Sequence, residues 1–426
     1  MNVKRILIDC SDTYIYNLQT GIQRVVRNIV ERKDLIERIL GIPVLAVVLT
    51  NLGYISLDDF LQSKPPNKNK KSIKSKLQYF FTVKLNNDFA YSSAKFFWYT
   101  YKKIYYILSN WVNTFAKKPK NIINLSNNDL LLFIDAFWQP LYSENKFFFK
   151  MISNAKAQNA IFVVLIYDII PITNPEFLDS LFVNKFRASF KQIIDYSNFI
   201  LATSQSEKNN VEYFLKSLKL QKPINYFYLG CDLSKQTESE YIRESIKQLK
   251  AKTYFLMVGT IEPRKGYDVA LETFERLWQN GFEKDLVIVG KIGWGVEETI
   301  SRILSSEYYN QKLFMFNDAN DTELDFLYKN TQALIFASKR EGFGLPLVEA
   351  MQYKKPIIAS DIDIFKEIGK DYPVYFKCND TEDLINAILK FQGGSEVKDS
   401  GFKTLTWDES VKMMCNNIKE LIKDAG

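Results

Sequence analysis

Two loop motifs in the second half of the sequence carry residues that could bind a phosphorylated ligand. The first, VGTIEPRKG (258–266), places Arg264 and Lys265 after an apolar run and before a helical pattern. A loop in that position lies at the carboxyl edge of a parallel sheet, where doubly wound folds bind ligands. Adjacent cations beside a helix start suit a diphosphate, because a guanidinium pairs bidentately with phosphate and an ammonium adds a point charge. The competing interpretation of this loop, taken alone, is a solvated basic turn.

The second motif, ASKREGFGLPLVEAM (337–351), has the same placement between a strand and a helix. Gly342 and Gly344 leave backbone amides approachable, which makes a phosphate cradle together with the helix dipole. Glu341 precedes this cradle, and Glu349 lies about one turn into the helix. One carboxylate can therefore face a transferred sugar and the other a ribose, although a mid-helix glutamate is more commonly an ordinary solvated residue.

Apolar runs that alternate with amphipathic stretches predict the elements that position these motifs. The first half predicts buried strands over 6–8, 44–49, 130–134, 161–166 and 199–202. The second half predicts strands over 254–258, 286–289, 313–316, 333–336, 356–359 and 373–376, with helices over 267–280 and 347–352. Each half is thus expected to form a Rossmann-like domain with a parallel sheet.

A chain of 426 residues exceeds what one hydrophobic core usually organises, so two domains are expected. The sequence becomes polar after Asp232, and we place the boundary between the two domains there. We predict an N-terminal domain over 1–232 with a basic aromatic insert at about 64–120, a linker over 233–250, a C-terminal domain over 251–405, and a terminal helix over 406–426 that packs back on the first domain.

The composition excludes several kinds of chemistry. No histidine is present, which removes the commonest general base and every Ser-His-Asp or Cys-His scheme. The four cysteines form no CxxC pair, so neither a zinc site nor a disulfide framework is indicated, and a reducing compartment is expected. The first apolar run is too short for a signal peptide, and no apolar run is long enough to predict a spanning helix. Asp361 and Asp363 form a DxD pair, but they follow a predicted Rossmann-like strand, where no metal is expected.

The segment EGFGLPLVE, with seven residues between Glu341 and Glu349, resembles the EX7E motif of the retaining family 4 glycosyltransferases. VGTIEPRKG and LVIVGKIGWG are similar to that family's donor-phosphate loop and the strand after it, so the resemblance covers most of 254–376. It implies the GT-B fold, which is an α/β architecture of two facing Rossmann-like domains with parallel sheets and a C-terminal crossover helix. It also implies a reaction that needs no metal and no cofactor.

By this resemblance the C-terminal domain binds a nucleotide-sugar donor. Arg264 and Lys265 would hold its diphosphate, Glu341 would contact the sugar and Glu349 the ribose. The further donor-binding residues that the resemblance implies are Gly21, Gly259, Gly342, Phe343, Gly344 and Leu345. In a chain without histidine, the departing phosphate oxygen would serve as the base, and electrostatic support of the leaving group is the main demand on the protein.

Two segments of the first half, TGIQRVVRNI and VLIYDIIPITNPEF, resemble parts of bacterial mannosyl- and rhamnosyltransferases of surface polysaccharide assembly. Asp168 aligns with an aspartate of that family and joins Glu341, Arg264 and Lys265 as the predicted catalytic set. A histidine often precedes that aspartate, but this sequence has Tyr167, whose hydroxyl could still donate a hydrogen bond.

Three further residues are candidates for the acceptor side, where Tyr167 and Asp168 are also expected. Arg24 is either an acceptor-side residue or a structural residue near a helix start. Asp135 and Trp138 end a predicted strand and could line an acceptor cleft, although Trp138 could equally belong to the core.

The implied reaction is transfer of a hexose or deoxyhexose, with mannose or rhamnose favoured, to a growing, lipid-linked surface glycan such as an O-antigen or a capsule. The expected location is cytoplasmic, peripheral on the inner membrane, and no nucleic acid partner is expected. Two alternatives stay open. One is a nucleotide-sugar epimerase of the same fold, which would need acid–base residues. The other is a non-catalytic member that binds membrane or a partner enzyme.

The basic insert between Lys64 and Lys120 holds 13 lysines and one acid. It therefore contributes +12 to a chain whose net charge is +7, and the rest of the chain carries −5. Aromatic residues at helical spacing follow the first lysines, an arrangement that suits the interface of an anionic bilayer. The competing interpretation is a lysine-rich surface loop followed by an ordinary amphipathic core helix.

We expect the wild-type protein to sediment with anionic liposomes at low salt and to be released at high salt, because each lysine near such a surface contributes about 1 kcal/mol. The comparison variant has six lysines changed to glutamine: Lys64, Lys68, Lys70, Lys71, Lys74 and Lys76. Equal and salt-insensitive sedimentation of the two proteins, or none by either, would contradict membrane docking without affecting the sugar-transfer interpretation.

Overall fold

The computed structural model describes residues 3–17, 21–63, 121–232, 241–391 and 404–424. Within them, strands alternate with helices, and every apolar run that the sequence assigns to a strand forms one. The predicted insert and its membrane-docking role, together with residues 233–240 of the predicted linker, lie outside the described residues.

The first sheet has seven strands in the order β3-β2-β1-β4-β5-β6-β7. Its strands are β1 (Arg5–Asp9), β2 (Val44–Thr50), β3 (Gly53–Ser56), β4 (Asp129–Phe133), β5 (Ile161–Ile166), β6 (Phe199–Ala202) and β7 (Ile224–Tyr226). The described helices of this half are α1 (Ser11–Tyr16), α2 (Gly21–Glu31), α3 (Lys33–Leu40), α4 (Leu57–Ser63), α5 (Pro140–Ser143), α6 (Lys146–Lys156), α7 (Ile170–Thr173), α8 (Ser180–Tyr196) and α9 (Gln205–Ser217).

The second sheet has six strands in the order β10-β9-β8-β11-β12-β13, all parallel. Its strands are β8 (Tyr254–Val258), β9 (Asp285–Val289), β10 (Leu313–Phe316), β11 (Ala333–Phe336), β12 (Ile357–Ser360) and β13 (Val374–Phe376). The described helices after the first sheet are α10 (Glu244–Lys247), α11 (Tyr267–Gln279), α12 (Glu297–Ser305), α13 (Asp321–Asn330), α14 (Leu345–Gln352), α15 (Asp363–Gly369), α16 (Thr381–Lys390) and α17 (Trp407–Asp424).

The sequence analysis did not predict two of the strands, β3 and β7. One of them, β3, departs from the predicted parallel arrangement. β3 pairs antiparallel with β2 through a tight turn, whereas the other strand pairs of this sheet are parallel. β3 and β7 are short strands at the two edges of the sheet, and β7 is only half-buried. An edge strand needs no long apolar run, so its sequence gives little signal.

The terminal helix α17 follows the second sheet in sequence but packs against α2, α3 and β7 of the first half. Arg32 of the first half holds the start of α17 in place, because its guanidinium lies 2.6 Å from Asp232 and 2.7 Å from Asp408. Ser410 adds a hydroxyl that donates to the Tyr228 carbonyl oxygen at 2.7 Å. None of the described helices is long and apolar enough to cross a bilayer.

Candidate functional site

Two neighbouring strands of the second sheet present the two sequence motifs at one edge. β8 leads into a short 3-10 helix, Pro263–Lys265, and then into α11, while β11 leads through the 337–344 loop into α14. The strands pair in parallel, with Ala333 opposite Phe255. Because both loops leave at the carboxyl ends, Arg264, Lys265 and Glu341 meet there, as their positions in the sequence predict.

The centre of the site is the carboxylate of Glu341, which is almost fully buried. Oε1 accepts from the Lys265 ammonium and, at 2.8 Å, from the Ser338 hydroxyl. Oε2 lies 2.8 Å from the Arg264 guanidinium. The predicted diphosphate-binding cations are thus held by a carboxylate of the predicted sugar-binding loop, which fixes both loops relative to each other.

Arg264 has two further partners that hold its guanidinium in place. It lies 2.7 Å from the carboxylate of Glu262, which is 3% exposed, and it donates to the carbonyl oxygen of Arg340 at 2.7 Å. A planar guanidinium with partners on several edges has one orientation available. Glu262 lies within the quoted VGTIEPRKG motif, yet its role was not recognised from the sequence.

Burial and charge act in opposite directions on these groups. Burial would raise the pKa of Glu341, but Arg264 and Lys265 lower it to about 2, so this carboxylate is ionised at neutral pH. Burial dominates at Glu262 and at Asp168, and their pKa values are raised despite the nearby cations. Burial likewise lowers the pKa of Lys265, against the pull of Glu341.

Gly342 brings the first half of the chain to this site. A Cβ at this position would lie 2.6 Å from the Tyr167 carbonyl oxygen and 2.9 Å from the Asp168 Cβ, so only glycine fits. Its carbonyl oxygen also accepts from the Ser204 hydroxyl at 3.1 Å. The sequence analysis predicted that Gly342 is part of a phosphate cradle. In the structure its α-carbon instead lies against the facing domain. This close approach places Asp168 beside the cations.

Glu349 lies in α14 and is reached by Arg24 from α2 of the first half. The guanidinium lies 3.0 Å from Glu349 Oε1 and 3.2 Å from Asp321. Tyr328 donates its hydroxyl to Glu349 Oε2 at 2.7 Å. The structure therefore places Arg24 beside the predicted ribose-binding carboxylate. Tyr328 belongs to this group, and no sequence signal pointed to it.

The remaining donor-side candidates differ in what they offer. Gly21 is exposed at the first position of α2, and Gly259 accepts the Tyr267 hydroxyl at 2.7 Å. Phe343 is buried against Tyr228, so its ring belongs to the core. Gly344 takes a left-handed conformation (φ 92°) just before α14, where Leu345 begins the helix half-buried.

Two of the acceptor-side candidates are turned toward the protein interior. Tyr167 is buried, and its hydroxyl donates to the Ile134 carbonyl oxygen at 2.7 Å. Its one donor proton is therefore used within the first domain. Trp138 is half-buried and packs edge-on to Phe137 at 4.9 Å between ring centres, and against Phe186 at 5.1 Å. This aromatic packing corresponds to the core interpretation of Trp138.

Asp135 is fully buried and belongs to a group of three buried carboxylates at the ends of β1 and β4. It accepts from the Thr13 amide at 2.8 Å and from the Thr13 hydroxyl at 3.1 Å. Asp9 accepts hydroxyls of Tyr142 and Tyr54 at 2.9 and 2.5 Å. Asp12 completes the group, and its Oδ2 has no hydrogen-bond partner in the part of the chain that the structure describes.

The electrostatic consequence is that these acids favour their protonated forms. Burial, followed by the charges of Asp135 and Asp9, raises the pKa of Asp12 to about 8. Burial also raises the pKa of Asp135 to about 7, against the Thr13 hydrogen bonds. Among the described residues, no group of three or more potential ligands is arranged to hold a metal ion.

Two facing α/β domains with a ligand site between them are typical of several enzyme families, and comparison with known proteins indicates which family this chain resembles. Residues 238–397 match the family described as Glycosyl transferases group 1, so the chain contains a domain of that family. The matched span includes both loops of the Glu341 site. The chain has the GT-B fold, with two parallel-sheet α/β domains that face each other across the site, as the sequence resemblance predicts.

Among curated proteins, the chain is similar to bacterial mannosyltransferases. It is 32% identical over 282 residues to the serotype-specific mannosyltransferase WbdA of Escherichia coli, covering 63% of this chain and 34% of that protein. It is 25% identical over 138 residues to the O-antigen chain mannosyltransferase RfbU of Salmonella typhimurium, covering 32% of this chain and 38% of the relative. The chain thus spans about a third of the length of the curated relatives it matches. The epimerase alternative finds no support among them.

Among solved structures, the sucrose-phosphate synthase of Thermosynechococcus elongatus superposes with a TM-score of 0.59 at 14% identity, over 99% of this chain and 100% of that one. Anabaena HepE, solved in complex with UDP-glucose, superposes with a TM-score of 0.54 at 13% identity, over 99% of both chains. At such identities the likeness concerns the fold alone.

We expect Asp12→Asn to stabilise the protein at alkaline pH. A carboxyl whose folded pKa is raised favours folding at low pH and disfavours it as the pH rises from its ordinary value of 3.8 towards about 8. The wild type should therefore lose stability over that window, and the asparagine variant should lose less, by up to about 6 kcal/mol at pH 9, because each unit of pKa difference corresponds to about 1.4 kcal/mol.

Melting temperatures measured from pH 5 to pH 9 test this expectation, with Asp34→Asn, on the exposed side of α3, as the matched control. Parallel pH profiles for wild type and Asp12→Asn would contradict it.

Proposed function

We propose that this protein is a retaining, metal-independent glycosyltransferase that moves a hexose or deoxyhexose, with mannose favoured, from a nucleotide-sugar to a glycan acceptor. The observation that carries the proposal is the cluster of Arg264, Lys265 and Glu341 on the two loops of the glycosyl transferases group 1 domain. Asp168 reaches the same point from the facing domain. Mannose is favoured because the curated relatives WbdA and RfbU are mannosyltransferases.

The charges of this cluster suit a diphosphate that must leave. Arg264 and Lys265 are largely buried cations held on a preorganised loop, so they would stabilise developing negative charge without reorganising. An arriving diphosphate competes with Glu341 for these cations, and the displaced carboxylate is then free to accept hydroxyl protons of the sugar. The two cations would supply the charge that a metal ion supplies in other phosphate-binding sites.

The proposed reaction retains the configuration of the sugar, and the chain has no histidine to act as a base. The leaving phosphate of the donor therefore takes that role. The bond between the sugar and the phosphate oxygen breaks first and leaves an oxocarbenium-like sugar. The acceptor oxygen then attacks from the same face, and its proton passes to the departing phosphate oxygen. The protein's part is to hold that phosphate, through Arg264 and Lys265, and to orient the sugar, through Glu341 and Asp168.

The acceptor is proposed to be a growing surface glycan carried on a lipid, assembled on the cytoplasmic side of the inner membrane. The similarity to O-antigen mannosyltransferases supports a glycan. The lysine-rich sequence of 64–120 supports an anionic bilayer as the surface on which such a lipid-linked acceptor is met.

Thermal stabilisation by GDP-mannose, dTDP-rhamnose and UDP-glucose tests which donor the protein binds, because a ligand that binds only the folded protein raises its apparent stability. One donor should stabilise the wild type.

Arg264→Ala should weaken the use of that donor by about 2–5 kcal/mol, the usual cost of removing one partner of a buried charge pair. Arg276→Ala removes an arginine whose two acidic partners, Glu272 and Glu382, are also on the surface, and serves as the control. A folded Arg264→Ala protein with unchanged donor kinetics would remove this loop from the site.

Glu341→Gln separates catalysis from binding. The amide keeps the shape but loses the charge, so we expect turnover to fall by at least about tenfold and the donor KM to change less, as for an interaction that is strongest in the transition state. Steady-state kinetics with the stabilising donor measure both constants. A variant with wild-type turnover would exclude Glu341 from the reaction.

Arg24 and Glu349 should act as one unit on the donor. Arg24→Ala and Glu349→Ala are each expected to raise the donor KM, since each removes one member of the ion pair that orients the other. The double variant should cost less than the two single effects combined, with a coupling energy of about 1 kcal/mol. Arg38→Ala, on α3, is the control. Strictly additive effects would show that the observed ion pair has no part in donor binding.

A further inference from the structure

A cavity lies beside the loop that carries Arg264 and Lys265. It has a volume of about 320 Å³ and is walled by Glu262 and Pro263 of the first loop, by α11 and α12, and by Phe177 of the facing domain. Its volume is at the small end of the range for small-molecule sites, about 300–1,000 Å³. A ligand in this cavity would contact the same loop that holds Arg264 and Lys265.

The wall of the cavity is fixed to the candidate donor site by backbone hydrogen bonds. The loop after β9 pairs with the first motif: the Ile261 amide donates to the Lys291 carbonyl oxygen at 2.8 Å, and the Gly293 amide donates to the Ile261 carbonyl oxygen at 2.9 Å. The next residue, Trp294, donates its indole N–H across the cleft to the Phe177 carbonyl oxygen at 3.0 Å. Trp294 is nevertheless 43% exposed, and Gly295, which follows it, lines the cavity.

The charges that line the cavity do not favour an anionic occupant. Both cations are already paired: Arg302 lies 2.6 Å from Glu275, and Lys339 lies 2.9 Å from Asp268. Glu298 lines the cavity, and within the described part of the chain its carboxylate makes no hydrogen bond or ion pair. A phosphate or a lipid headgroup would find unpaired negative charge here and no unpaired cation.

We propose that this cavity is a subsite for a neutral oligosaccharide, in which sugar residues of the acceptor remote from the reacting hydroxyl are bound. A carboxylate such as Glu298 accepts two hydroxyl protons of a vicinal diol, and the exposed Trp294 and the half-buried Phe177 offer apolar surface to the C–H face of a pyranose ring. The acceptor part of this assignment rests on the proposed glycosyltransferase function, whereas the binding of a glycan does not.

Binding is tested on the full-length protein with four neutral trisaccharides: α1,2-mannotriose, α1,3-mannotriose, maltotriose and chitotriose. Saturation-transfer NMR and calorimetry should detect at least one of them in the absence of any donor. Thr299→Trp, which fills the cavity from α12, should abolish that binding, and Glu298→Gln should weaken it by about tenfold, as for a lost hydrogen bond to a charged group. Glu297→Gln, an exposed acid on the same turn of α12 outside the cavity, should leave it unchanged.

The same variants separate the subsite from the proposed reaction. If the proposal holds, Thr299→Trp hydrolyses the stabilising donor and glycosylates a monosaccharide acceptor at wild-type rates, but loses the preference for the trisaccharide. If the wild type binds a trisaccharide through this cavity but uses none of the donors, the subsite is supported and the proposed function is refuted. Failure of all four trisaccharides to bind the wild type, or binding that Thr299→Trp leaves intact, overturns the subsite.

Discussion

The carboxylate of Glu341, held between Arg264 and Lys265, is the interaction on which the rest of the site depends. Two largely buried cations on adjacent residues repel each other and lose hydration, so they persist only beside compensating anions. Glu341 and Glu262 provide that compensation. The arrangement needs two strand ends next to each other in one parallel sheet, and that requirement accounts for why motifs about 80 residues apart in sequence form one site.

Several polar contacts that can exchange partners join the two halves of the chain around this site. Arg24 reaches Glu349, and Glu367 of α15 accepts the Gln205 and Ser206 amides at the start of α9 at 2.8 and 2.7 Å. Trp294 reaches Phe177. Such contacts are individually modest, and interfaces of this kind commonly permit relative motion of domains.

Much of this could be predicted from the sequence, because buried parallel strands are apolar throughout and because the two glutamates of the EX7E segment keep a fixed spacing across a loop and a helix. What could not be predicted depends on contacts between distant segments. Tyr328 reaches Glu349 only because α13 packs beside α14, and Asp9, Asp12 and Asp135 come together only at the ends of β1 and β4. The edge strands β3 and β7 are short and carry little hydrophobic signal.

The count of charges in the site limits how a doubly charged phosphate group could be accommodated. With Glu341 ionised, one of the two positive charges of Arg264 and Lys265 is balanced before any ligand arrives, and Glu262 and Asp168 lie close to the same cations. The pKa values of Glu262 and Asp168 are already raised by burial. Added negative charge would raise them further, because a nearby anion disfavours the ionised carboxyl. Proton uptake by these two acids would then offset part of the added negative charge. A chain without histidine would thus use buried carboxyl groups where other sites use an imidazole.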